Sequence, residues 1–289
     1  MKDIDLRTIL AQPGMVVAPG AYDGIGARLI EQAGFEAAYM TGAGTSAALG
    51  YPDFGLLTMS EMVENAAVMA RSIDIPLIAD ADTGYGNELN VRRTVRAYEE
   101  RGIAAVHIED QVSPKRCGHL EGKEIIARDQ FVSKIRAAVD ARRSPEFVVI
   151  ARTDARAVVD FDEAIWRANA ALDAGADMAF VEAARSMEEV AEVPRLVRGP
   201  CMLNVVPTGK TPTVALNEAA DMGYKLAILP ALLLSAAIQA GDAALAEVKR
   251  TQRSPEPATD LFEMFRRFGA DEWDEVRRRH GAGSDMECR

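Results

Sequence analysis

Cysteine is scarce in this chain. Cys117, Cys201 and Cys288 are the only three in 289 residues. An odd count without repeated spacing offers no disulfide framework and fits a reducing compartment. Basic side chains are the minority, 33 Lys and Arg against 44 Asp and Glu, and the formal charge of −11 excludes a broad surface for a polyanion such as nucleic acid. Apolar runs of membrane-spanning length are missing, and Met1 to Gln12 mixes charges without an apolar centre. Neither a transmembrane helix nor a signal peptide is expected, and the chain reads as cytoplasmic. Hydrophobic residues make up 48%, ample for the buried core of one large domain or two small ones.

Short apolar runs recur along the chain: Met15 to Ala18, Ala37 to Met40, Ile75 to Ile78, Ala104 to Ile108, Phe147 to Ile150, Met178 to Val181, Cys201 to Val206 and Leu226 to Leu229. Between them, Leu89 to Arg101, Asp129 to Arg142 and Asp162 to Ala174 carry apolar residues at helical spacing. Eight strands alternating with helices predict a (β/α)8 barrel, an α/β fold of the TIM type, over residues 1–235. Residues 236–289 leave the repeat. Ala236 to Val248, Leu261 to Phe268 and Glu272 to Arg279 read as helices of a C-terminal extension, interrupted at Ser254-Pro255-Glu256-Pro257, with a disordered tail from Gly281.

Polar residues gather at one end of the expected strands. Asp80 and Asp82, Glu109, Arg152 with Asp154, Glu182 and Asn204 stand at or near carboxyl ends, where a barrel of this kind builds its active site. Each also has a structural reading, as a helix cap or a local ion pair. Oxygen donors such as Asp80, Asp82 and Glu109 suit a hard divalent cation, Mg2+ for example. Lys115-Arg116-Cys117-Gly118-His119 sets a thiol among three basic groups in a glycine-containing loop, surroundings that favour a thiolate. Small residues at Thr41-Gly42-Ala43-Gly44 would let backbone N–H groups approach a carboxylate. His107, on a strand, reads as a satisfied core or supporting histidine.

Asp-Ala-Asp at 80–82, His-Ile-Glu-Asp-Gln at 107–111 and Lys-Arg-Cys-Gly-His at 115–119, in that order and spacing, resemble the isocitrate lyase and phosphoenolpyruvate mutase superfamily. The cysteine loop resembles its carbon–carbon lyase branch, whose members cleave 2-methylisocitrate or 2,3-dimethylmalate. The likeness runs from about Pro19 to about Leu233. It implies that Asp80, Asp82 and Glu109 hold Mg2+, partly through water, and that Cys117 transfers a proton to carbon. It implies further that Arg152 and Glu182 stabilise charge, and that Thr41, Gly42, Ala43, Asp53, Lys115, Gly118, His119 and Asn204 contact substrate. Tyr39 is a candidate base. The superfamily's tetramers imply a homo-oligomer, with a C-terminal helix exchanged between subunits.

One segment departs from the lyase pattern. Pro207 stands where methylisocitrate lyases carry a glutamate, and Lys210 adds a cation, so Pro207 to Pro212 looks more like the mutase branch. Lys210 reads either as a partner for a further substrate carboxylate or as a loop-surface residue. A phosphonate mutase and an oxaloacetate hydrolase or decarboxylase are the competing enzymatic readings, and a silent carboxylate-binding barrel the non-enzymatic one.

Overall fold

Strand residues in a barrel alternate between its interior and the surrounding helices, so a period of two decides which side chains reach the axis. The computed structural model describes residues 5–118, 120–257 and 259–281. Helix α1 (Leu6–Ala11) precedes the repeat, which runs β1 (Val16–Ala21), α2 (Gly24–Gln32), β2 (Ala38–Met40), α3 (Gly42–Ala48), α4 (Met59–Ser72), β3 (Leu77–Asp80), α5 (Glu88–Glu100), β4 (Ala105–Glu109) and α6 (Arg128–Ala141). It continues through β5 (Val148–Thr153), α7 (Ala155–Val158), α8 (Phe161–Asp173), β6 (Met178–Val181), α9 (Met187–Leu196), β7 (Cys201–Asn204), α10 (Leu216–Met222) and β8 (Leu226–Leu229). All eight strands pair in parallel and in chain order, and β8 pairs with β1 to close the barrel.

Local chemistry explains where the helices start. Asp23, Thr58, Asn87, Asp160 and Ser186 each accept a hydrogen bond from a backbone N–H of the following first turn, and Thr58 with Glu61 forms a full capping box. Gly223 ends α10 in the left-handed conformation, at φ 104°.

The register stacks inward-facing residues in layers. Ile78, Ala105 and Val148 are level, then Asp80, His107 and Ile150, then Glu109 and Arg152. The lower interior is apolar, built from Val16, Ala18, Ile78, Val148, Met178, Phe180, Met202 and Leu226 among others. The same alternation that fills the core therefore delivers Asp80, Glu109, Arg152 and Asn204 to the carboxyl-end rim. Outward strand residues such as Ala79, Val106 and Val149 pack under the helices.

Three expectations shift. β7 stops at Asn204 rather than Val206, and β1 runs on to Ala21. Thr41-Gly42-Ala43-Gly44 is not an open turn: Thr41 caps α3, and its hydroxyl accepts from Gly44 N. Contacts divide the chain between Ala236 and Ala237. The second unit contains the remainder of α11 (Leu232–Thr251), then α12 (Leu261–Arg266) and α13 (Ala270–His280). Among its described residues no side chain is buried, and Ile238, Leu245, Phe262, Phe265 and Trp273 are all more than half exposed. The expected tail, apart from Gly281, lies outside the described residues, as does His119.

Candidate active site

Residues from six strand ends and two loops line a cavity of about 140 Å3 at the carboxyl-end rim. Tyr39, Thr41, Ala43, Asp53, Asp80, Lys115, Cys117, Gly118, Arg152, Glu182 and Asn204 all contribute to its wall. Asp82, Glu109 and Gly42 are not in the wall but adjoin residues that are: Asp82 and Gly42 lie against Asp80, and Glu109 against Arg152. A Cβ placed on Gly42 would lie 2.5 Å from Asp80 Oδ2 and 3.5 Å from Asp82 Oδ1, so both carboxylates converge over that glycine.

Asp82 adopts a positive φ of 47° in the turn after β3, where its N–H donates to Asp80 Oδ1 at 2.9 Å. An aspartate tolerates that conformation better than most residues, and its retention here locks the pair together. Burial works to raise Asp80, but His107, Lys115 and Arg152 outweigh it and hold the carboxyl below its ordinary range. Burial pushes Asp82 up to about 6 against Lys115, with Asp80 and Asp53 adding to the rise. Glu109 is fully buried and pushed well above the usual carboxylate range, chiefly by burial. Neither of its oxygens has a hydrogen bond among the described residues, although Arg152 Nε lies 3.3 Å from Oε2.

Arg152 is the hub of the rim. Its guanidinium donates to Asp154 at 2.9 and 3.2 Å and lies 3.6 Å from Glu182 Oε2, over the ring of Phe180. Burial opposes its charge, but Asp154, Glu109 and Glu182 raise its pKa further, so it stays a cation. Glu182 is oriented from two sides: Ala183 N donates to Oε1 at 2.8 Å and Asn204 Nδ2 to Oε2 at 3.0 Å. Tyr39 OH and His107 Nε2 share a hydrogen bond of 2.8 Å. Burial drives the phenol well above 10 and the imidazole down to about 4, so at neutral pH Tyr39 keeps its proton and His107 is uncharged. The pair thus presents a protonated phenol and a neutral imidazole to each other.

The cysteine loop is held over this floor. Cys117 N donates to Asp53 O at 3.2 Å, and Lys115 Nζ donates to Asp53 Oδ1 at 2.5 Å and lies 3.0 Å from Asp82 Oδ1. Lys115 therefore lines the cavity with its ammonium already engaged by protein carboxylates. Arg116 turns toward Phe54, 5.5 Å from its ring centre. Gly118 lies so close to the rim that a Cβ there would be 2.5 Å from Arg152 Nη2 and 2.8 Å from Glu182 Cγ.

Two contributions were not legible beforehand. Lys123, buried at the loop's far end, donates to Gly118 O and, at 2.9 Å, to Asp154 Oδ1. It links the loop to the carboxylate that orients Arg152, and only its place in Gly122-Lys123 after the cysteine motif hinted at this. Val206, Pro230, Ala231 and Leu234 form an apolar wall opposite the charges. Lys210, left open between two readings, pairs with Glu121 of the cysteine loop at 2.5 Å, and Pro207 to Pro212 contributes nothing to the cavity wall.

The phosphoenolpyruvate phosphomutase family model matches residues 6–249. The chain belongs to that family. It is 46% identical over 236 residues to the 2,3-dimethylmalate lyase of Eubacterium barkeri, covering 81% of this chain and 82% of the relative. With the 2-methylisocitrate lyase of Aeropyrum pernix it shares 44% over 250 residues, 86% of this chain and 80% of that one. A crystal structure of phosphonopyruvate hydrolase in complex with oxalate and Mg++ superposes with a TM-score of 0.85 at 31% identity, covering 95% of this chain and 97% of that one. The expected barrel and superfamily are both borne out. Among the described residues no helix is long and apolar enough to cross a membrane.

Whether a divalent cation fits can be tested on the donors. Among the described residues, Lys115 pairs with Asp53 and Asp82, and Arg152 with Glu109 and Glu182, while Asp80 stands beside them, so carboxyl groups outnumber these two cations in a largely buried rim, an arrangement that is costly unless neutralised. The bare oxygens of Glu109 and the converging oxygens of Asp80 and Asp82 are hard donors of the type Mg2+ takes. Among the described residues no three such side chains already stand close enough to form a direct cage, so the donors fit a shell completed by water.

Proposed function

We propose that the protein is a Mg2+-dependent carbon–carbon lyase that cleaves a 2-hydroxy dicarboxylate or tricarboxylate, of the 2,3-dimethylmalate or 2-methylisocitrate type, into a 2-keto acid and a carboxylate. The observation that carries this reading is the meeting, on one cavity of about 140 Å3, of a thiol, a locked arginine and a surplus of carboxylates. Such a cavity is small beside the several hundred Å3 of a drug-sized site. It suits a short-chain acid.

Asp80, Asp82 and Glu109 would hold the cation, which when bound supplies Lewis acidity that favours loss of the substrate's hydroxyl proton. As that proton passes to solvent water, the C2–C3 bond breaks, the new carbonyl stays with the keto acid, and the bonding pair passes to the departing carboxylate as an enediolate. Arg152, preset by Asp154, offers fixed positive charge where negative charge gathers. Glu182, steadied by Asn204 and the Ala183 N–H, faces the departing fragment. Cys117 donates its S–H proton to the carbanionic carbon, completing the carboxylate product. Tyr39, protonated and tied to His107, acts here as a hydrogen-bonding support. The wall of Val206, Pro230, Ala231 and Leu234 favours substrates with methyl substituents.

Lys210 pairs with Glu121, and this favours a loop-surface role over a contact with a distal substrate group. The exposed apolar side chains of α11, α12 and α13 support a homo-oligomer, a tetramer, in which this extension packs on a second copy. One assay tests the activity: purified protein with Mg2+ and, separately, 2-methylisocitrate, 2,3-dimethylmalate, oxaloacetate and phosphonopyruvate, with keto acid and phosphate followed independently. Keto acid from one of the hydroxy acids is expected. Turnover confined to oxaloacetate or phosphonopyruvate would overturn the lyase reading.

A further inference from the structure

A second cavity, of about 280 Å3, opens between the start of α5 and the face of α6, and shares no lining residue with the first. Three deeply buried polar side chains stand in its wall: Gln111, Thr83 and Lys134, at 1%, 3% and 5% exposure. Gln111 is satisfied by the backbone of Arg116, through Nε2 to O at 2.9 Å and N to Oε1 at 3.0 Å. The Thr83 hydroxyl and the Lys134 ammonium have no hydrogen-bond or ion-pair partner among the described residues. The carboxyls of Glu109 and Asp110 act on Lys134 without reaching ion-pair distance, and burial still pushes it down to about 8 against them. Both residues line the cavity, so a molecule inside it can take the hydrogen bonds that the described residues leave unmade.

The rest of the wall indicates its chemistry. Asn87 Oδ1 is engaged by Leu89 N, and Gln130 Oε1 by Ala127 N, leaving the N–H groups of both amides as further donors. Val112 and Ile126 are apolar. Glu88 is the single carboxylate in the wall, and it is exposed. One buried cation already under the influence of Glu109 and Asp110, several donors, a short apolar strip and an acid at the surface select a small singly charged oxyanion over a phosphate or a dicarboxylate. We propose that this cavity is a second, non-catalytic site for a small monocarboxylate, whose oxygens are taken by Lys134 Nζ and Thr83 Oγ1 and whose alkyl group rests on Val112 and Ile126. Thr83 directly follows Asp82, and Gln111 lies two residues beyond Glu109, so the bound acid sits behind the rim rather than in it. The assignment stands whether or not the lyase reading does.

Butyrate is a suitable probe, followed by saturation-transfer NMR on the full-length protein. The signal should reach a plateau in the wild type. Lys134→Met should weaken binding tenfold or more while melting no lower than wild type, because a methionine of similar length replaces an unpaired buried charge. Thr83→Val should also weaken binding, and it decides the matter should Lys134→Met fail to fold. Butyrate at plateau should leave the rate of Cys117 alkylation by iodoacetamide unchanged. No plateau in the wild type, undiminished affinity in the folded variants, or butyrate protection of Cys117 would each overturn the site.

Discussion

Arg152 concentrates the argument at the residue scale. Three carboxylates, Glu109, Asp154 and Glu182, lie within 3.6 Å of its guanidinium in a buried rim. Removing one partner of a buried ion pair leaves the others uncompensated, at a cost of about 3–5 kcal/mol. Arg152→Met should therefore lower the urea midpoint by an amount equivalent to that loss, as well as abolish turnover. Cys117→Ser should behave differently. The side chain is half-buried in a loop and its replacement disturbs no core packing, so the melting temperature should hold while kcat falls about 100- to 10,000-fold, the usual scale for losing a proton donor. Wild-type-like rates in that variant would remove Cys117 from the chemistry. These strand-end residues were legible from the sequence because a period of two carries the core pattern directly into the rim. The state of Lys115 was not legible. Its ammonium reads as substrate-facing in the sequence, yet it is held by Asp53 and Asp82, which depends on how two distant loops meet.

At the scale of elements, the loop from Val112 to Ala127 decides access to the cavity. Lys123 fastens it through Gly118 O and Asp154, so one buried ammonium ties the cysteine motif to the residue that orients Arg152. Lys123→Met should release the loop. Iodoacetamide should then modify Cys117 at least tenfold faster than in wild type, with kcat reduced in parallel; an unchanged alkylation rate would show that Lys123 does not fasten the loop. All eight strands and the helices α5, α6, α8, α11, α12 and α13 were legible because apolar periodicity and the caps and breakers beside it act locally. The exceptions have long-range causes. Thr41 to Gly44 forms a helix because the Thr41 side chain caps it and Gly42 must pass close to Asp80, and neither relation appears in a glycine-rich stretch read alone. The apolar wall likewise joins Val206 to Pro230, Ala231 and Leu234, a grouping set by barrel closure.

For the whole molecule, two consequences follow. The extension beyond Ala236 displays Phe262, Phe265 and Trp273 to solvent, more aromatic surface than a monomer usually leaves bare. Light scattering should find the full chain as a tetramer, and a chain ending at Thr251 should shift to smaller species; a monomeric full chain would remove the oligomer proposal. The second consequence joins fold to chemistry, since carboxylates from β3, β4 and β6 share one rim with a thiol that a loop brings above them. The most direct test is keto acid release from 2,3-dimethylmalate and 2-methylisocitrate by protein stripped with EDTA, as Mg2+ is added back. Release should be absent after stripping and return along a saturable Mg2+ curve in wild type, and stay absent in Glu109→Gln. Undiminished release from the stripped protein, or no release at any Mg2+ concentration, would contradict the account.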